Sequence, residues 1–138
     1  MGTSTDAVLF YGIHADENEW EDFIGEDWQE TLASKFGVHE PQVPYETPEQ
    51  EMLFHDYWDK KDEICEKESC AIDFHCSGEY PMPYAFVRAS KTEACRGYPE
   101  EISGLTVQPE WDQELKGFCE LMGIPWTQPK WWLVSYWG

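Results

Sequence analysis

The sequence predicts an α+β fold: a sheet of about four strands, mixed or antiparallel, with three helices packed mainly on one face. Three observations predict it. Apolar runs rich in β-branched and aromatic residues stand near both ends, at residues 7–14 and 131–137. Between them, segments with apolar residues three and four apart carry helix start and stop signals. The resulting order is strand, helix, helix, strand, strand, helix, strand, which suits an α+β chain better than an alternating α/β one. A chain of 138 residues, 41% hydrophobic and 16% aromatic, can fill one core. With no repeat and no long linker, residues 1–138 read as a single domain.

Ala7-Val-Leu-Phe-Tyr-Gly-Ile-His14 reads as a buried strand, with Gly12 as a candidate bulge. An acidic stretch follows. From Glu26 or Asp27 to Phe36 the chain is expected to be helical, because acids in its first turn suit the helix dipole and Gly37 stands ready to stop it. Trp28, Leu32 and Phe36 then share a face. Residues 38–47 hold Pro41 and Pro44 and read as a loop. Thr47-Pro-Glu-Gln50 supplies an N-cap, a proline at the first helical position and the Gln of a capping box, opening a helix to about Glu66. Residues 70–76 and 85–91 read as strands joined by a tight connection that Pro81 and Pro83 keep out of a sheet interior. Trp111, Leu115, Phe118 and Met122 mark a third helix over 109–122, ended by Gly123. After Pro125 and Pro129, residues 131–137 close the chain as a buried strand with aromatics on both faces. Losing that strand is expected to unfold the domain.

Charge narrows the function classes. The chain has 28 acidic and 9 basic residues, a formal net charge of −19. Residues 1–51 carry thirteen acids against Lys35 alone. Such a surface repels bare nucleic acid and anionic membrane, whose phosphates are also negative. It attracts a basic surface on another protein. Five cysteines make an odd number, and the first residues lack a basic n-region and an apolar h-region. No stretch approaches the roughly 18 apolar residues of a membrane span. A reduced, cytoplasmic protein is expected.

Metal and nucleophile signals are weak. Cys65, Cys70, His75 and Cys76, with Cys95 further on, offer ligands suited to zinc, but Cys-x4-Cys-x4-His-Cys lacks the paired short gaps of a zinc site. His75 and Cys76 would also point to opposite faces of a strand. His14, His39, His55 and His75 are scattered with no nucleophile motif. There is no phosphate loop and no dinucleotide fingerprint. No catalytic residue, metal or cofactor is assigned, and an enzyme is not expected. A small metal- or thiol-dependent enzyme, and a virion or assembly protein whose acids only confer solubility, are the alternatives.

The strongest functional signal is the stretch from Asp16 to Glu30. It holds Asp16, Glu17, Glu19, Glu21, Asp22, Glu26, Asp27 and Glu30, eight carboxylates in fifteen residues, with no Lys or Arg. Trp20, Phe23, Ile24 and Trp28 recur among them at helical spacing, so residues 15–30 are expected to belong to the fold. Carboxylates held at roughly phosphate spacing can enter a groove that Lys and Arg built for DNA. Trp20 would supply a desolvated anchor. Glu49, Glu51, Asp56 and Asp59 form a second row. The predicted partner is a DNA-binding protein with a basic groove, and a homodimer seamed by the C-terminal strand would lengthen the charged track.

Cys76-Ser-Gly-Glu-Tyr-Pro-Met-Pro-Tyr84, Arg96-Gly-Tyr-Pro99 and the ending Trp131-Trp-Leu-Val-Ser-Tyr-Trp-Gly138 resemble small acidic proteins of tailed bacteriophages. The resemblance covers the first strand and the C-terminal half and carries no catalytic residues. It implies a protein made early in infection that disables a host enzyme by DNA mimicry, in the cytoplasm of the infected bacterium. Gyrase or another topoisomerase, or a defence nuclease, is the favoured target.

Overall fold

A computed structural model of the chain describes residues 5–15, 20 and 27–137. The fold is α+β, with a five-stranded mixed sheet and three helices among the described residues. Contacts group the chain into two compact units, Met1–Glu21 with Ser69–Gly138, and Asp22–Glu68. Each is described by itself.

The first unit is built around β1 (Thr5–His14). Along one side of it runs antiparallel β5 (Lys130–Trp137), from Thr5 opposite Trp137 to Gly12 opposite Lys130. The other side is shared. β4 (Thr92–Ala94) pairs with residues 7–9, and β3 (Pro81–Val87) pairs with residues 12–14. Between them a 3-10 turn (Arg88–Ser90) brings Ser90 to the gap, where its buried hydroxyl accepts the Tyr11 N–H at 2.9 Å and donates to the Val87 carbonyl at 2.6 Å. No backbone group of β1 at Tyr11 is left to a strand partner there, so the side chain fills the ladder's break.

β2 (Cys70–Ser77) pairs antiparallel with β3 and meets β5 in parallel only at Cys76–Tyr136 and Ser77–Trp137. The pairings β1–β3, β3–β2, β2–β5 and β5–β1 close a cycle, which a flat sheet cannot do. The sheet must curl. Three of the four pairings are antiparallel, an odd number that no simple barrel accepts, so one strand has to change direction within the cycle. Cys76, the one non-glycine residue with positive φ among the described residues (79°), stands at that junction.

Gly12 is no bulge: it is the last residue of β1 in the ladder with β5 and the first in the ladder with β3, and in both it keeps step with its neighbours, with no extra residue. A Cβ there would lie 2.0 Å from the Ala85 carbonyl oxygen and 2.8 Å from the Phe86 Cα. Glycine is required by the close passage of β3, not by an extra residue. One face of the sheet then stacks Phe10 on Tyr84, with ring centroids 4.1 Å apart, and turns Phe86 edge-on to Phe10. Helix α3 (Trp111–Met122) packs on β2 and β3, burying Trp111, Leu115, Phe118, Cys119 and Met122 as the spacing predicts. Gly123 ends it at φ 73°, and the N–H groups of Gly123 and Ile124 both reach the Cys119 carbonyl. The Tyr11 hydroxyl donates to Asp112 at 2.6 Å, tying β1 to the first turn of α3.

The expected strand over 85–91 is corrected. β3 begins at Pro81, and the chain from Arg88 to Ser90 is the 3-10 turn. Both prolines are tolerated in β3 because β1 pairs only from Tyr84 onward, which leaves Pro81 and Pro83 on a stretch with one strand neighbour. The C-terminal strand is paired along its whole length but is not buried along it: Leu133 is 73% and Trp137 57% exposed.

The second unit is a helix pair. α1 (Trp28–Lys35) packs against α2 (Pro48–Lys67), burying Trp28, Leu32 and Ala33 from one and Tyr57 and Cys65 from the other. Phe36 falls outside this face as the exposed C-cap, because the helix stops one residue earlier than its spacing suggests and Gly37 turns the chain at φ 79°. Thr47 and Gln50 make the expected capping box, with the Gln50 N–H on the Thr47 hydroxyl at 3.2 Å and the Thr47 N–H on the Gln50 side chain at 3.0 Å. Among the described residues no helix is long and apolar enough to cross a membrane.

Candidate functional site

Of the acidic residues singled out in the first stretch, Asp16, Glu17, Glu19, Glu21, Asp22 and Glu26 lie outside the described residues. Asp27 and Glu30 are exposed at the start of α1. Trp20 is half-buried, and its buried indole N–H has no partner among the described residues.

The second row is where the described geometry is richest. Glu49, Asp56, Asp59, Glu63 and Glu66 are separated by seven, three, four and three residues, so they stand on one face of α2, and all are exposed. At 1.5 Å per residue the row is about 25 Å long, with steps of about 4.5–6 Å beyond Asp56. That is sparser than the phosphates of one DNA strand, at about 3.4 Å of axis each. Glu51 lies off this line and is half-buried, whereas Glu63 and Glu66, which the sequence reading left out, extend it. The signal for them was the same helical spacing. Lys67 bonds Glu63 at 2.8 Å and holds its carboxyl below the usual range; both are exposed, so the pair contributes little stability.

Apolar groups flank the row. On one side Gly37, Val38, Val43, Leu53, Tyr57 and Lys60 line an open groove of about 420 Å³, with Asp56 at its edge. Towards the opposite face of α2 from the row, Tyr45, Phe54 and Trp58 form an aromatic cluster, with centroids 5.4 to 6.1 Å apart. Tyr45 is 50% and Trp58 39% exposed. The groove, with Leu53 and Tyr57 next to Asp56, fits the role of a desolvated anchor beside charge expected of Trp20.

The sheet unit holds two polar clusters that the sequence did not show. Lys91 donates to Asp73 at 2.6 Å and to Glu93 at 2.9 Å, with Phe86 4.8 Å below it. Burial pulls the ammonium's pKa down, but the two carboxylates outweigh it and hold the charge on. Fully paired, this group ties β2 to β4 and has no proton to lend. His14 and His75 meet through their Nε2 atoms, with ring centroids 4.7 Å apart. Their side chains come from β1 and β2, the two strands on either side of β3. The Trp132 ring lies 5.3 Å from His14, and Tyr84 lies 6.0 Å from His75.

The cysteine set considered for zinc does not assemble. Cys65 is buried in α2, Cys70 is buried at the start of β2, and no group of three or more His, Cys, Asp or Glu able to hold a metal occurs among the described residues. Comparison with known proteins places the chain in no group: no protein-family model matches it, nor does any curated protein or solved structure.

Proposed function

We propose that this protein acts by binding, as an acidic mimic of DNA that occupies the basic groove of a DNA-binding protein and inhibits it. The observation that carries this reading is the exposed carboxylate row of α2, about 25 Å long and flanked by apolar surface. A net charge of −19 and the eight acids of residues 16–30 support it further. Electrostatic attraction between such a face and a Lys/Arg groove steers encounter, and the adjoining apolar groove supplies contact that excludes water. The resemblance to small acidic phage proteins supports a host enzyme as target, with gyrase, another topoisomerase or a defence nuclease favoured, in the infected cell's cytoplasm. A second copy joined through the exposed end of β5 would lengthen the track.

The test is a pull-down from bacterial lysate at low salt, with duplex DNA as competitor. Capture of a DNA-binding protein, displaced by DNA and lost in an Asp56→Lys/Asp59→Lys/Glu66→Lys variant of unchanged circular dichroism, is the expected result. Capture that neither DNA nor this charge reversal affects would sink the reading.

A further inference from the structure

We propose that His14 and His75 form a binding site for one divalent transition-metal ion of borderline softness, such as Zn²⁺, Co²⁺ or Ni²⁺. The proposal does not rest on the DNA-mimic reading. Histidines 61 residues apart in sequence are brought together because β3 lies between their strands and the sheet curls. Both face the same side of that curl: His14 is opposite Tyr84 on β3, Tyr84 is opposite Asp73 on β2, and His75 is two residues beyond. The rings converge tip to tip on their Nε2 atoms, the nitrogens that a neutral imidazole offers to a metal.

A direct hydrogen bond between two imidazoles uses one lone pair and needs opposite tautomers, whereas a cation uses both lone pairs at once. A small opening of the rings admits an ion at about 2.0–2.1 Å from each nitrogen. The site is sheltered, since His14 is 3% exposed with Trp132 against its ring. Cys76, the residue held at φ 79°, directly follows His75 and turns the strand where the pair forms. With two imidazole ligands among the described residues, the site suits imidazole-seeking ions rather than Mg²⁺ or Ca²⁺, which require oxygen ligands.

Chelator-treated protein titrated with Co²⁺ tests this directly, because cobalt's visible spectrum separates nitrogen ligation from thiolate ligation. One Co²⁺ per chain is expected, with no thiolate charge-transfer band and with displacement by Zn²⁺. His14→Gln and His75→Gln should each weaken binding at least as much as the roughly tenfold that loss of even an outer-shell partner costs. His55→Gln and Cys76→Ser should leave it unchanged. Should buried His14→Gln fail to fold, half-buried His75→Gln decides the question. The site is overturned by no stoichiometric binding to the wild type, by binding that survives His75→Gln, or by a thiolate band that Cys76→Ser removes.

Discussion

Gly12 shows how one residue sets what the sheet can do. Its missing side chain lets the Ala85 carbonyl and the Phe86 Cα come close, so β3, while still paired with β2, can also pair with the end of β1. Because both obstacles are backbone, they cannot rotate away as a flexible side chain would. Gly12→Ala is therefore expected to lower stability by the upper end of the roughly 1–3 kcal/mol typical of overpacking, or more. Urea denaturation measures it, and an unchanged midpoint would mean that β3 does not pass β1 so closely. Three buried acids make a second expectation. Burial, with Asp112 for Tyr11, with Asp73 for Tyr84 and with Glu120 for Cys119, pushes each pKa up to about 12, from ordinary values of 10.0 for the tyrosines and 9.0 for the thiol. Between the ordinary and raised values the unfolded chain has released protons that the folded chain still holds. Stability is thus intact below pH 9 and falls as pH rises from there to 12, at about 1.4 kcal/mol per unit for each titrating group. Melting temperatures followed from pH 8 to 11.5 should show the fall, and Tyr84→Phe should make it shallower; a flat profile to pH 11 contradicts the raised values.

At the scale of elements, local signals were legible and partner-dependent ones were not. The Thr47–Gln50 capping box and the Trp111, Leu115, Phe118, Met122 spacing are written within a few residues, and both helices form where they point. The prolines of β3 misled because tolerance of a proline depends on which strand lies alongside, and only the pairing of β1 from Tyr84 onward decides that. β4 has three residues, too short for any alternation to register. The candidate site divides the same way. The carboxylate row of α2 follows from helical spacing and was half visible in Glu49, Asp56 and Asp59, with Glu63 and Glu66 completing it. The meeting of His14 and His75 depends on strand order and curl, so four scattered histidines gave no sign of it.

At the scale of the whole molecule, 28 acids against 9 bases set two responses to salt that run in opposite directions. Within the folded chain most charge neighbours are alike, so folding concentrates repulsion that the extended chain spreads out. Raising ionic strength from 0.01 to 0.15 M shortens the screening length from about 30 Å to about 8 Å, less than the roughly 25 Å run of the α2 row. Self-repulsion along that row and across the rest of the surface is then largely screened, and the melting temperature should rise over this range. Attraction to a basic groove is screened by the same ions, so association with the proposed partner should weaken over the same interval. Measuring both on one preparation separates the two uses of the charge. A protein whose acids serve only solubility shows the first trend alone, whereas a DNA mimic shows stability rising while affinity falls. A complex insensitive to salt would instead place the binding energy in the aromatic cluster and groove of the helical unit.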